Sequence, residues 1–145
     1  DLHSFPTRRS SDLAITTFKR PNQHTGKYIF ILEYLTSKGP ATFTKSGELE
    51  GNMNEANIKT LNLALDCLTR TEDLTIFTDN CYVAGLIDTY MDQWKANGFK
   101  NSKGEPISDE IAKLYRVKEA HTEVRLKEHH SYKDWMERSL YYGTN

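Results

Sequence analysis

The most constraining stretch of this sequence is Leu74-Thr75-Ile76-Phe77-Thr78-Asp79, followed almost at once by Val83, Leu86, Ile87, Tyr90, Met91 and Trp94. The first run is made of strand formers. The second recurs at three- and four-residue steps, the period of a helix with one buried face. A strand that passes straight into a helix leaves no room for a hairpin, so its next strand is reached by a crossover and lies parallel to it. The chain therefore needs a partly parallel sheet covered by helices. Sites in such sheets form at the C-terminal strand ends, and Asp79 stands at one of them.

The remaining segments fill in the sheet. Leu13–Phe18 and Lys27–Leu35 are short β-branched or aromatic runs, with turn residues Pro21, Asn22 and Gly26 between them. Ser37-Lys38-Gly39-Pro40 then turns the chain into a third strand over Ala41–Lys45. From Asn52 the period becomes helical, with Ile58, Leu61, Ala64, Leu65 and Leu68 on one stripe. After the basic stretch Lys95–Lys103, Ser108 is placed to cap a helix carrying Ile111, Leu114 and Val117. Thr122–Lys127 reads as a fifth strand, and a last helix is expected over about Tyr132–Tyr142. The order predicts an α/β fold: an antiparallel meander of three strands, then two parallel strands, with helices on both faces.

With 145 residues the chain suits one compact domain. Its 19 Lys and Arg nearly balance 20 Asp and Glu, so any affinity for a polyanion must come from a local patch. Cys67 and Cys81 have no metal-ligand spacing and are expected to be buried, reduced thiols. No apolar run reaches the roughly 20 residues that span a bilayer, so a soluble, monomeric, cytoplasmic protein with no membrane partner is expected. Residues 1–13 have no strand or helix period and resemble, residue for residue, the translation of a sequencing adapter. They are expected to be non-native or disordered, with the single domain covering 14–145.

The run Ile76-Phe77-Thr78-Asp79-Asn80-Cys81-Tyr82-Val83 is similar to the fourth strand of type 1 ribonuclease H, and Trp94-Lys95-Ala96-Asn97-Gly98-Phe99-Lys100 resembles that family's basic, aromatic protrusion. Gly51-Asn52-Met53-Asn54-Glu55-Ala56 resembles the start of its first helix, and Lys127-Glu128-His129-His130 the end of its fifth strand with the histidine loop. The resemblance covers roughly residues 14–142 and implies the ribonuclease H-like fold. It also implies two-metal hydrolysis of the RNA strand of RNA/DNA hybrids, in which carboxylates hold two Mg²⁺ (or Mn²⁺) ions about 3.5–4 Å apart.

On that resemblance Glu55 and Asp79 are the second and third catalytic, metal-binding carboxylates. The fourth is Glu137 or Asp134, with Glu137 favoured, and His129 is the loop histidine. Asn52, Asn80, Lys95, Phe99, Lys100 and Lys103 are the nucleic-acid contacts, while Tyr82 and Trp94 are assigned to the core. The first aspartate has no counterpart: counting back from Tyr28–Tyr34 places Thr17 there, with Thr16 beside it, and no acid lies between Leu13 and Lys27. A hydroxyl is a weaker ligand for a hard divalent ion than a carboxylate. The expectation is a hybrid-binding domain with weakly held metal and little or no cleavage. The alternatives are a fully active endoribonuclease or a protein-interaction module of the same fold.

Overall fold

The computed structural model describes residues 10–18, 25–68, 73–119 and 122–142. Strands β1 (Ser10–Phe18), β2 (Thr25–Thr36) and β3 (Gly39–Glu50) form the antiparallel meander. Helix α1 (Met53–Leu65) leads to β4 (Asp73–Thr78), which pairs parallel to β1. The next helix runs as α2 (Cys81–Gly85), a π-helical turn (Leu86–Tyr90) and α3 (Met91–Ala96). Helix α4 (Asp109–Lys113) tightens into a 3₁₀ turn (Leu114–Glu119) before β5 (Thr122–Leu126), parallel to β4, and α5 (Lys133–Tyr142). The sheet order is β3-β2-β1-β4-β5, the expected mixed five-stranded architecture.

Alternation along β2 shows why both faces are covered. Tyr28, Phe30 and Leu32 pack with Ile58 and Leu61 of α1, with Val83 of α2 and with Met91 of α3. Ile29 and Ile31 point the other way, onto Met136 and Leu140 of α5. Period-2 side chains that are apolar on both faces make a strand that is stable only between two helical layers.

Three details differ from the sequence reading. β1 begins at Ser10, four residues ahead of the expected domain start, and Ser11 is only 2% exposed between Tyr34 of β2 and Leu74 of β4. Backbone pairing on both sides places residues 10–13 in the sheet although they lack an apolar period; residues 1–9 lie outside the described residues. β3 extends far beyond Ala41–Lys45, because an edge strand needs only pairing to β2 and its side chains stay largely in solvent. Cys67 and Cys81 are exposed thiols, one just past the end of α1 and the other opening α2. Among the described residues no helix is long and apolar enough to cross a membrane.

Candidate active site

Asp79 is the residue immediately after β4, and the chain around it is fixed by short hydrogen bonds. Thr78 accepts the Lys127 backbone N–H at 2.9 Å, extending the β4–β5 pairing by one step. Asn80 caps α2, its Oδ1 accepting the Val83 N–H at 2.8 Å. The Asn80 amide also donates to Asn54 Oδ1 at 3.1 Å, tying this strand end to the first turn of α1. Asn52 caps that helix by accepting the Glu55 N–H at 2.9 Å. The starts of α1 and α2 thus converge on the end of β4.

From the opposite face α5 closes a narrow cleft lined by Asp79, Glu128, His130, Lys133 and Glu137. Lys133 Nζ lies 3.8 Å from Asp79 Oδ1. Glu128 accepts from Arg125 at 2.8 Å. The His130 ring sits 5.2 Å from that of Phe77, and its Nδ1 accepts the Tyr132 N–H at 3.3 Å. Burial, followed by the nearby Lys133 charge, holds the His130 imidazole below its ordinary pKa, which keeps it neutral at neutral pH.

The structure brings together Asp79 and Glu137 but not the whole expected set. Glu137 lines the cleft, whereas Asp134 is exposed on α5 outside that lining. The Glu55 carboxylate folds back over Gly51, close enough that a Cβ there would stand 3.1 Å from Glu55 Oε2. His129 lines an adjoining cleft with Asp12, Glu33, Tyr132 and His130, and of the two histidines His130 alone also lines the cleft around Asp79. Thr17 pairs with Tyr28 of β2. On the other side the parallel pairing with β4 ends at Ala14 and Phe77; continued two steps, that register would bring Thr16 level with Asp79.

The basic segment is a built loop. Phe99 donates its N–H to the Trp94 carbonyl and accepts from Ile107 N–H at 3.1 Å, while Lys100 bridges Pro106. Asn101 Oδ1 accepts from the N–H groups of Lys103 and Glu105. Phe99, with φ 59°, packs edge-on against Tyr115 at 5.6 Å and anchors the loop. Lys95 lies 4.8 Å over the same ring, and Lys95, Lys100 and Lys103 are all exposed. Tyr82, expected in the core, is 37% exposed because it precedes the buried Val83 on the first turn of α2.

Residues 19–131 match the model of the RNase H family. This chain belongs to the RNase H family. Among curated relatives, the ribonuclease H of Dinoroseobacter shibae is 36% identical over 66 residues, 46% of this chain and 42% of its own. That of Campylobacter concisus is 28% identical over 99 residues, covering 66% of this chain and 67% of the relative. The chain spans about two fifths of the length of the relative from Dinoroseobacter shibae.

Among solved structures, the foamy viral protease-reverse transcriptase in complex with double-stranded DNA superposes with a TM-score of 0.66 at 16% identity, covering 94% of this chain and 93% of that one. The same viral protein in complex with an RNA/DNA hybrid gives 0.66 at 15% identity, covering 94% and 20%. These neighbours show the shared RNase H fold.

The RNase H family generally uses divalent metal ions, and Asp79 and Glu137 are hard oxygen donors of the suitable type. Asp79 beside Lys133, Glu137, and Glu128 engaged by Arg125 are nevertheless not a two-metal cage. Among the described residues no three His, Cys, Asp or Glu side chains come together to hold an ion. Sequence reasoning missed three members of this cleft, Glu128, His130 and Lys133. The signal for Lys133 was its four-residue spacing from Glu137, which puts both on one face of a helix.

Proposed function

We propose that this RNase H domain binds RNA/DNA hybrids and cleaves their RNA strand weakly or not at all. The observation that carries this reading is the incomplete carboxylate set: among the described residues no three acidic, histidine or cysteine side chains come together to hold an ion, and β1 continues past its last pairing with β4, Ala14 with Phe77, through Thr16 and Thr17 and no acid. In-line hydrolysis of a phosphodiester needs the attacking and leaving oxygens both stabilised, and a site with fewer carboxylate ligands holds hard divalent ions more weakly.

Binding places fewer demands on the chain. Lys95, Lys100 and Lys103 present positive charge on a loop stiffened by Asn101 and Phe99, so phosphate contacts cost little ordering. Asn52 and Asn80 sit where the two helix starts meet the strand end.

The test pairs two measurements on the full chain. Anisotropy with a labelled hybrid should show affinity that falls with salt, and the same substrate should survive in Mg²⁺, with traces of cleavage in Mn²⁺. Robust Mg²⁺-dependent cleavage would establish the fully active reading instead, and no affinity at low salt would reject hybrid recognition.

A further inference from the structure

The cleft beside Asp79 contains a cation of its own. Lys133 approaches Asp79 to 3.8 Å with 29% of its side chain exposed, and it sits one helical turn before Glu137, which lines the same cleft. The third acid there, Glu128, is already engaged by Arg125 at 2.8 Å. The remaining charges are then −1 from Asp79, −1 from Glu137 and +1 from Lys133, so an approaching divalent ion meets a net −1 and a fixed ammonium. We infer that Lys133 is the built-in counter-cation of this site: it holds the place beside Asp79 against divalent metal, so that the domain engages nucleic acid without one.

Physical chemistry favours the lysine. It is covalently delivered by α5, whose packing through Met136 and Leu140 onto Ile29 and Ile31 is independent of any ion. Mg²⁺ gives up its waters reluctantly and is usually held by only one or two carboxylates together with substrate phosphates, so a cation paired with one of those carboxylates removes a large share of the protein's hold on it. Coulomb repulsion between a unit and a double charge about 4 Å apart, even with water's dielectric constant and physiological screening, lowers metal affinity about tenfold.

The claim that binding needs no metal rests on the hybrid-recognition reading, whereas the metal exclusion can be tested apart from it. Mn²⁺ binding to the full chain is followed by the loss of the free-ion paramagnetic resonance signal. The wild type should bind only in the millimolar range. Lys133→Met should bind about tenfold tighter, with Lys133→Gln as a second neutral variant should Met disturb folding. Lys133→Arg, which keeps the charge, should stay with the wild type, and Lys133→Met with Asp79→Asn should lose the gain. The inference falls if both neutral variants fold and bind Mn²⁺ no tighter, if the gain survives Asp79→Asn, or if the wild type binds in the micromolar range. In parallel, hybrid affinity of the wild type should be equal in chelator and in Mg²⁺ at matched ionic strength. A requirement for Mg²⁺ would overturn the inference, while absence of hybrid binding under both conditions would overturn hybrid recognition and leave the Mn²⁺ titration to judge Lys133.

Discussion

Asp12 and Glu33 stand directly opposite each other across the β1–β2 pair and line one cleft, so replacing Asp12 by Asn should make this protein more stable at neutral pH. The Asp12 carboxyl is held above its ordinary value, first by partial burial and then by the Glu33 charge, with Arg125 pulling the other way. An acid whose pKa is raised on folding favours the folded state below its unfolded pKa, and that contribution is lost as pH rises through the folded value. At neutral pH the ionised side chain is therefore a net cost. Directly opposed like charges on adjacent strands cost roughly 0.2–1 kcal/mol. Asp12 is solvent-exposed and Arg125 offsets part of the repulsion, which puts the expected gain for Asp12→Asn at about 0.5 kcal/mol. Urea unfolding should show it as a midpoint rise of about 0.2–0.5 M at unchanged slope. The gain should shrink steadily towards about pH 3, where a protonated Asp and an Asn are close equivalents. A loss of stability at neutral pH would mean that attraction to Arg125 outweighs burial and Glu33. A gain that persists undiminished in acid would mean that the effect is not electrostatic.

Three further outcomes are expected. Truncating the chain through residue 13 strips Ser11–Leu13 from both neighbouring strands and should cost about 2–4 kcal/mol, read by denaturant titration; an unchanged midpoint would show that this start of β1 adds nothing to stability. Changing Lys95, Lys100 and Lys103 together to Ala should flatten the dependence of log hybrid affinity on log salt by about two to three units, and an unchanged slope would move the interface elsewhere. Thr16→Asp, beside Asp79 in the extended register, should raise Mn²⁺-dependent cleavage several-fold and Asp79→Asn should cancel it; a rise from Thr17→Asp alone would shift the register by one residue, and none from either would refute the site assignment.

The fold was legible because it rests on periodicity. The β4 run and the stripe from Val83 to Trp94 specify a strand, a helix and a parallel crossover with purely local information. The start of β1 was not legible: Ser10 and Ser11 owe their place to pairing with Asp73 and Leu74, partners more than sixty positions away in the chain. The carboxylate at the strand end could be read from Phe77-Thr78-Asp79, since position after a strand fixes it. Which α5 side chains turn towards it depends on where the helix begins, which the spacing of Asp134 and Glu137 does not reveal. The same holds for His129 and His130: both line the cleft beside Asp12 and Glu33, and of the two His130 alone also lines the cleft around Asp79.

The π-helical turn at Leu86–Tyr90 bears on how this domain can change over time. Such a turn is an α-helix that has accepted one extra residue without breaking. Here it leaves Met91 fully buried and Tyr90 about half exposed, its ring 6.0 Å from that of Trp94 at the root of the lysine loop. Loss of one residue from the turn would let the helix close regularly with both flanks facing nearly as they do now, whereas the same loss in the regular helix on either side would rotate everything after it by about 100° relative to the sheet. The turn is thus the place in this helix where a single codon can be gained or lost while the basic loop keeps its direction.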